Sequence, residues 1–262
     1  MKTRLAVITP VLIQTQAQQD KWDEQQYFLA NCDRPDNFTI KQFICGNADE
    51  ANVTVVGATD QVSRRRELSR LALAWLNEGD DGEVRLLQWL DADDVPSAYW
   101  FHALRRCYHS LNILAVSERQ LITFSKQYMF AGRRAFEQLA QGACGVGCGS
   151  AIVWRVDKPY TPRELQHHLL MTPKLYRSYC GIEDVVMGVE VARAYPDHIG
   201  YVTADCCTDD CGQGLPAIYR TPSYKLGVTP DPRQTRNSLL ADYRRVRKTI
   251  IQGTDITEGY GM

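Results

Sequence analysis

Short apolar runs alternate with amphipathic helical patterns along most of the chain, and this alternation limits the folds that the chain can adopt. The strands predicted in its first third are 4–10, 38–46, 52–58 and 85–90, and the helices between them are 15–32 and 61–78. Such alternation is typical of a mostly parallel sheet with helices on its faces. The sequence therefore predicts an α/β, Rossmann-like domain.

The remainder of the chain continues the same pattern. A helix is predicted from Pro96 to about residue 110, followed by strands at 112–118 and after the glycine-rich stretch GACGVGCGS, a helix at 181–195 and a strand at 198–207. Prolines and a helical stretch at 237–251 follow. We therefore predict one domain over residues 1–220, with a mostly parallel mixed sheet flanked by helices, and a C-terminal helical extension over residues 221–262.

Composition narrows the functional classes. The formal net charge is −1, so no overall positive field favours nucleic acid, although arginines cluster locally, as at 64–66. No apolar run reaches the roughly 18 residues of a membrane helix, and the apolar N-terminal run contains Pro10 and lacks a signal-peptide cleavage pattern. Nine cysteines without a secretion signal predict reduced thiols and a cytoplasmic location. None has the CxxC spacing typical of zinc sites.

Three aspartates follow the strand at 85–90 directly. Asp91, Asp93 and Asp94 come where Pro96 is expected to stop the strand. In open α/β sheets, ligands bind at the carboxyl ends of strands. Two carboxylates one residue apart can share a hard divalent cation. The alternative is a solvated acidic turn in which Asp94 caps the next helix.

Four stretches, taken together, resemble the GT-A glycosyltransferases, most closely those of family 2. They are VITPV (7–11), SRRREL (63–68), LDADDVP (90–96) and GIEDVVMG (181–188), and their order agrees with the family across roughly residues 4 to 205. The resemblance implies a single GT-A-type domain. It also implies an enzyme of the hexosyltransferase type, which moves a sugar from a nucleotide-sugar, a UDP-sugar by preference, to an acceptor hydroxyl.

The resemblance also implies roles for individual residues. The residues that would contact the donor are Thr9, Pro10, Arg65, Arg66 and Asp91. Thr9 and Pro10 would border the base, one of the two arginines would face the diphosphate, and Asp91 would contact the ribose or base. Asp93, with Asp91, would coordinate Mn²⁺ or Mg²⁺, which acts as a Lewis acid on the departing diphosphate.

A second pair of acidic residues, Glu183 and Asp184, is the candidate for activating the acceptor. An acceptor hydroxyl needs a base within hydrogen-bonding reach. The resemblance implies that Asp184 is this base, that Glu183 orients the acceptor, and that the reaction inverts the anomeric centre. The alternative for this pair is a favourable interaction with a helix N-terminus.

The pattern departs from the family at two places, and other functions stay open. The end of the second strand reads CGNADE, which offers only Asn47 or Asp49 for the nucleotide base, and Glu67 follows Arg66 in the arginine helix. LDADDV also fits the nucleophile strand of haloacid-dehalogenase-like phosphatases, although that strand normally comes first in the chain. A nucleotidyltransferase and a non-catalytic sugar-nucleotide-binding protein are further alternatives. The acceptor could be a glycan, a protein, a metabolite or a hydroxymethylated DNA base.

Overall fold

A computed structural model describes residues 1–54, 61–106, 115–118, 122–124, 152–156, 199–202, 218–220 and 227. The strands are β1 (Thr3–Val11), β2 (Phe38–Gly46), β3 (Val84–Trp89), β4 (Asp94–Pro96), β5 (Ala115–Glu118), β6 (Ile122–Phe124), β7 (Ile152–Arg155), β8 (Ile199–Val202) and β9 (Ile218–Arg220). The helices are α1 (Gln16–Asn31), α2 (Gln61–Asn77) and α3 (Trp100–Arg106). Within these residues, no helix is long and apolar enough to cross a membrane.

Six strands form one mixed sheet in the order β2-β1-β3-β7-β5-β8. β1 pairs in parallel with both β2 and β3, β5 pairs in parallel with β8, and the two pairings of β7 are antiparallel. The predicted α/β class, with a mostly parallel mixed sheet flanked by helices, is confirmed. Because β1, β2 and β3 run side by side in one direction, their carboxyl ends meet at one edge of the sheet.

A second, three-stranded sheet was not predicted from the sequence. Its order is β4-β9-β6, and β4 pairs antiparallel with β9. Pro96 was expected to end the strand that precedes the aspartates, but it is the last residue of β4. Asp94 opens β4 and is fully buried, so it does not cap α3 from an exposed turn.

The predicted strand over 52–58 differs from the structure where the two can be compared. Residues 52–54 form no strand, and 55–60 lie outside the described residues. Asn52 instead acts as a side-chain partner for the outer edge of β2. Its Oδ1 accepts from the N–H of Ile44 at 2.9 Å and its Nδ2 donates to the carbonyl of Gln42 at 2.9 Å.

The core lies between the large sheet and the helices. One cluster joins β1, β2, β3 and α3, and its largest members include Phe38, Trp100 and Phe101. On α2 the buried side chains recur at Leu68, Ala72 and Leu76, as its helical period predicts. Burial of this apolar stripe holds α2 against the sheet.

Helix α1 begins at a well-formed cap. The Thr15 side chain accepts a hydrogen bond from the N–H of Gln18, which is typical of an N-cap residue. The buried side chains of this helix are Trp22 and Gln25. The inner face of α1 therefore carries a polar residue.

Candidate functional site

The three aspartates form one compact cluster at the carboxyl edge of the sheet. Each of Asp91, Asp93 and Asp94 offers a carboxylate oxygen, and these oxygens all lie within 4.8 Å of one another. Asp94 is buried, whereas the other two are half-buried. The N–H of Asp94 donates to the carbonyl of Asp91 at 3.0 Å, which closes a tight turn. We call residues 91–94 the acidic turn.

This set of ligands fits a hard divalent cation. Mg²⁺ and Mn²⁺ prefer carboxylate oxygens, and a site with two or three of them suits either ion. Carboxylates held this close repel one another, so a cation among them would relieve that repulsion. The cluster therefore meets the chemical requirement for a cation site, and its half-buried members leave a side open to solvent.

Arg65 lies against the acidic turn rather than in solvent. It stands on the buried stripe of α2, one turn before Leu68, and is 4% exposed. Its guanidinium makes an ion pair with Asp91 Oδ1, and its Cζ atom lies 5.1 Å from the centroid of the Trp89 ring. The neighbouring Arg66 is exposed. One charge of the cluster is therefore balanced within the protein by an arginine stacked on an aromatic ring.

Side-chain amides support the acidic turn from behind. The Nε2 of Gln25 donates to the carbonyls of Asp91 and Asp94, at 2.8 Å and 2.6 Å. The Nε2 of Gln42, on β2, donates to Gln25 Oε1 at 3.2 Å and to Thr9 Oγ1 at 3.1 Å. A chain of hydrogen bonds thus joins Thr9, near the end of β1, and Gln42, in the middle of β2, to the acidic turn.

An apolar contact fixes the middle of the acidic turn. Ala92 packs against a small buried cluster formed by Val11, Trp22 and Ile44. Gly46 makes this close packing possible, because a Cβ atom at its position would lie 1.8 Å from the carbonyl oxygen of Val11. The ends of β1 and β2 and the middle of α1 therefore meet next to the turn.

The segment after β2 contains Asn47 and Asp49, the two residues that the sequence offers for contact with the nucleotide base. Asn47 is exposed, and its side-chain amide holds Ile13 by accepting from its N–H and donating to its carbonyl, at 2.8 Å and 2.7 Å. Asp49 is exposed as well. Cys45, just before this segment, is buried, and burial raises the pKa of its thiol, an effect that nearby Arg64 opposes. Asn47 thus orders the loop that follows β1.

The structure brings most of the predicted donor residues to this edge of the sheet. Thr9 is buried and Pro10 is half-buried near the end of β1, the strand next to β3. Asp91 and Asp93 belong to the aspartate cluster described above, and Arg65 is the ion-pair partner of Asp91. Glu183 and Asp184 lie outside the described residues, as do the glycine-rich stretch, the helix at 181–195 and the helical stretch at 237–251.

Gln25 and Trp89 were not recognised from the sequence as parts of this site. Trp89 was predicted only as a strand residue, yet its ring lies against the guanidinium of Arg65. Gln25 lies three residues after Trp22, on the inner face of α1. A polar residue on an apolar face was the available signal, because such a residue must find hydrogen-bond partners inside the protein.

Comparison with solved structures identifies the fold. S. aureus TarS has a TM-score of 0.51 at 13% identity over 97% of this chain, which spans 40% of the TarS chain. TarS 1-349 in complex with UDP matches with a TM-score of 0.48 at 15% identity, and the match covers 97% of this chain and 67% of that chain. A glycosyltransferase involved in glycosylation of the major capsid of PBCV-1 matches with a TM-score of 0.45 at 8% identity. That match covers 93% of this chain and 98% of the other chain. No family model and no curated protein matches the sequence. The chain has a GT-A-like glycosyltransferase fold.

Proposed function

We propose that the chain is a glycosyltransferase that moves a sugar from a nucleotide-sugar, preferably a UDP-sugar, to an acceptor hydroxyl. The observation that carries the proposal is the position of the acidic turn. Three carboxylates cluster at the carboxyl ends of the parallel strands β1, β2 and β3 in a GT-A-like fold, where open α/β sheets bind their ligands. The nucleotide base of the donor would lie near Thr9 and Pro10. The cytoplasmic location stays a prediction from the cysteine content.

Asp93 is our first choice for a cation ligand, with Asp91 as the second. Both aspartates are half-buried, and Asp91 Oδ1 also makes an ion pair with Arg65. A bound Mn²⁺ or Mg²⁺ would supply positive charge to the departing diphosphate. Arg66, exposed on the same helix, would place a further positive charge toward that diphosphate, while Arg65 would hold Asp91 in position.

Acceptor activation is proposed for the acidic pair at 183–184. Asp184 would accept the proton of the acceptor hydroxyl, and Glu183 would orient the acceptor. Attack from the face opposite the nucleotide would invert the anomeric centre. The domain is proposed to end near residue 220, which is supported by the pairing of β9 with β4.

A donor screen tests the reaction class. Release of nucleoside diphosphate would be measured with each common nucleotide-sugar, with and without Mn²⁺, and with glycan, protein, metabolite and hydroxymethylated DNA acceptors. We expect release with one donor class, stimulated by one acceptor class. Phosphate release from an ester together with a phosphorylated Asp91, detected by mass spectrometry, would instead establish the phosphatase chemistry.

Variants separate the roles of the carboxylates. Asp93→Asn should weaken Mn²⁺-dependent nucleotide binding, because an amide is a poorer ligand for a hard cation. The control is Asp81→Asn, at an exposed position outside the cluster.

Asp184→Asn should lower kcat by about 10²- to 10⁴-fold with little change in donor affinity. Glu183→Gln should act mainly on acceptor binding. Loss of donor binding in Asp184→Asn would remove it as the base.

A further inference from the structure

The side-chain amide of Gln25 lies next to the acidic turn and makes four hydrogen bonds. The side chain is completely buried on α1. Its Nε2 donates to the carbonyls of Asp94 and Asp91. Its Oε1 accepts from Gln42 Nε2 at 3.2 Å and from Gln26 Nε2 at 3.4 Å. Both hydrogens and both lone pairs of one amide are therefore used.

The two carbonyls that Gln25 holds determine the shape of the turn. The carbonyl of Asp91 also accepts from the N–H of Asp94, so one acceptor is shared by the turn and by the glutamine. Holding both carbonyls restricts the peptide planes 91–92 and 94–95, which begin and end the turn. Those planes set the directions in which the carboxylates leave the backbone, and hence the spacing of the cluster.

The chemistry of an amide suits this position. The carboxylates of the turn repel one another, so the turn tends to open when no cation is bound. A lysine or arginine behind the turn would hold it closed but would add a positive charge that competes with a cation. A neutral amide donates two hydrogen bonds and adds no net charge.

We propose that Gln25 is a positioning residue that holds the acidic turn in its cation-binding arrangement and, through Gln42, connects that arrangement to Thr9 at the end of β1. The inference rests on the proposed function, because it takes the acidic turn as the cation site. Groups that orient metal ligands typically change metal affinity by about 10- to 100-fold when they are removed. The same range is expected here.

The test uses two substitutions at the same position. Gln25→Met keeps a side chain of similar length and removes every hydrogen bond. Gln25→Glu keeps the shape and the acceptor but cannot donate to the two carbonyls when ionised. The control is Gln16→Met, on the first turn of the same helix, where the exposed glutamine bonds only Asp20 among the contacts described. Mn²⁺ affinity is measured by calorimetry on the full chain, well below each variant's Tm.

Hydrogen exchange of the Asp94 amide gives a second readout without any ligand. We expect Gln25→Met to bind Mn²⁺ at least about tenfold more weakly than wild type, and we expect both Gln25 variants to exchange the Asp94 amide faster than wild type. Gln16→Met should match wild type in both measurements. A purely structural role for Gln25 would lower Tm and leave the Mn²⁺ affinity of the folded protein unchanged.

The outcomes distinguish this inference from the proposed function. Wild-type affinity and wild-type Asp94 exchange in Gln25→Met would overturn the inference alone. Failure of wild type itself to bind Mn²⁺ would overturn the cation site and the inference with it. If neither Gln25 variant folds, Gln42→Met decides, since it removes one bond to Gln25 and keeps those to the turn. It should weaken Mn²⁺ binding in the same direction, and unchanged affinity would overturn the connection.

Discussion

Removal of the Arg65 side chain should destabilise the protein far more than removal of an exposed arginine from the same helix. In the ion pair with Asp91, the two side chains are only 5% and 14% exposed. Breaking a buried pair leaves an uncompensated charge and costs about 3–5 kcal/mol. Because Asp91 keeps some contact with solvent, we expect Arg65→Met to cost about 3 kcal/mol, the lower end of that range. For a chain of this size the loss corresponds to a fall in Tm of about 6–12 °C.

Arg70 provides the matched control. It pairs with Glu67 on α2, with Nε–Oε2 and NH2–Oε1 distances of 3.0 Å and 2.6 Å, but the two side chains are 54% and 36% exposed. Exposed pairs of this kind contribute about 0.3–0.5 kcal/mol. Arg70→Met should therefore change the free energy of unfolding by less than one fifth as much as Arg65→Met.

Denaturant unfolding of the single and double variants measures the pair directly. Asp91→Asn in the Arg65→Met background should cost less than Asp91→Asn in wild type, because no buried positive charge is left behind. Arg65→Lys should lie between wild type and Arg65→Met, since a lysine keeps the charge but lacks the planar group that stacks on Trp89. Equal losses for Arg65→Met and Arg70→Met would refute the reasoning, since the buried pair would then contribute no more than an exposed one.

Three further predictions use single substitutions or a single thiol. In urea unfolding, Gly82→Ala should cost about 1–2 kcal/mol from its positive φ alone, whereas Gly46→Ala should cost more because its Cβ would meet a backbone oxygen at 1.8 Å; equal costs would contradict the close approach. Burial raises the pKa of the Cys45 thiol, so less thiolate forms at pH 8 and iodoacetamide should modify Cys45 more slowly in the folded than in the urea-unfolded chain, as peptide mass spectrometry would show. The hydrogen bond from Arg70 lowers the pKa of Glu67, so Glu67→Gln should cost less than about 0.5 kcal/mol at pH 7, and this cost should shrink as the pH falls from 7 to 3, as unfolding at both pH values would test.

The central elements of the fold could be predicted because each has a strong local signal. β1 and β3 are largely apolar, β2 combines alternating apolar and polar residues with a short apolar run, and α2 has an apolar stripe with helical spacing. The second sheet could not be predicted in this way. Its strands are three residues long, too short to show a period, and they pair with residues far away in the chain.

The sequence allowed the acidic residues of the candidate site to be predicted, but not the side chains that hold them in place. Asp91 and Asp93 were predicted from their position at the carboxyl end of a strand and from the resemblance carried by LDADDVP. The burial of Arg65 depends on which face of α2 meets the sheet and on the position of Trp89 beneath it. The role of Gln25 depends on the distance between α1 and the acidic turn, which no local pattern encodes.

The pairing of β4 with β9 has a consequence for the time order of folding. β1, β2, β3 and α1 all come from the first 89 residues, but the strand beside Asp94 comes from residues 218–220. Closing so long a loop costs little more free energy than closing a shorter one, because that cost grows only with the logarithm of loop length. It is nevertheless slow, since contacts between distant segments form late in folding. During refolding, recovery of the Mn²⁺ binding that we propose for the acidic turn should therefore lag behind the helical signal of α1 and α2.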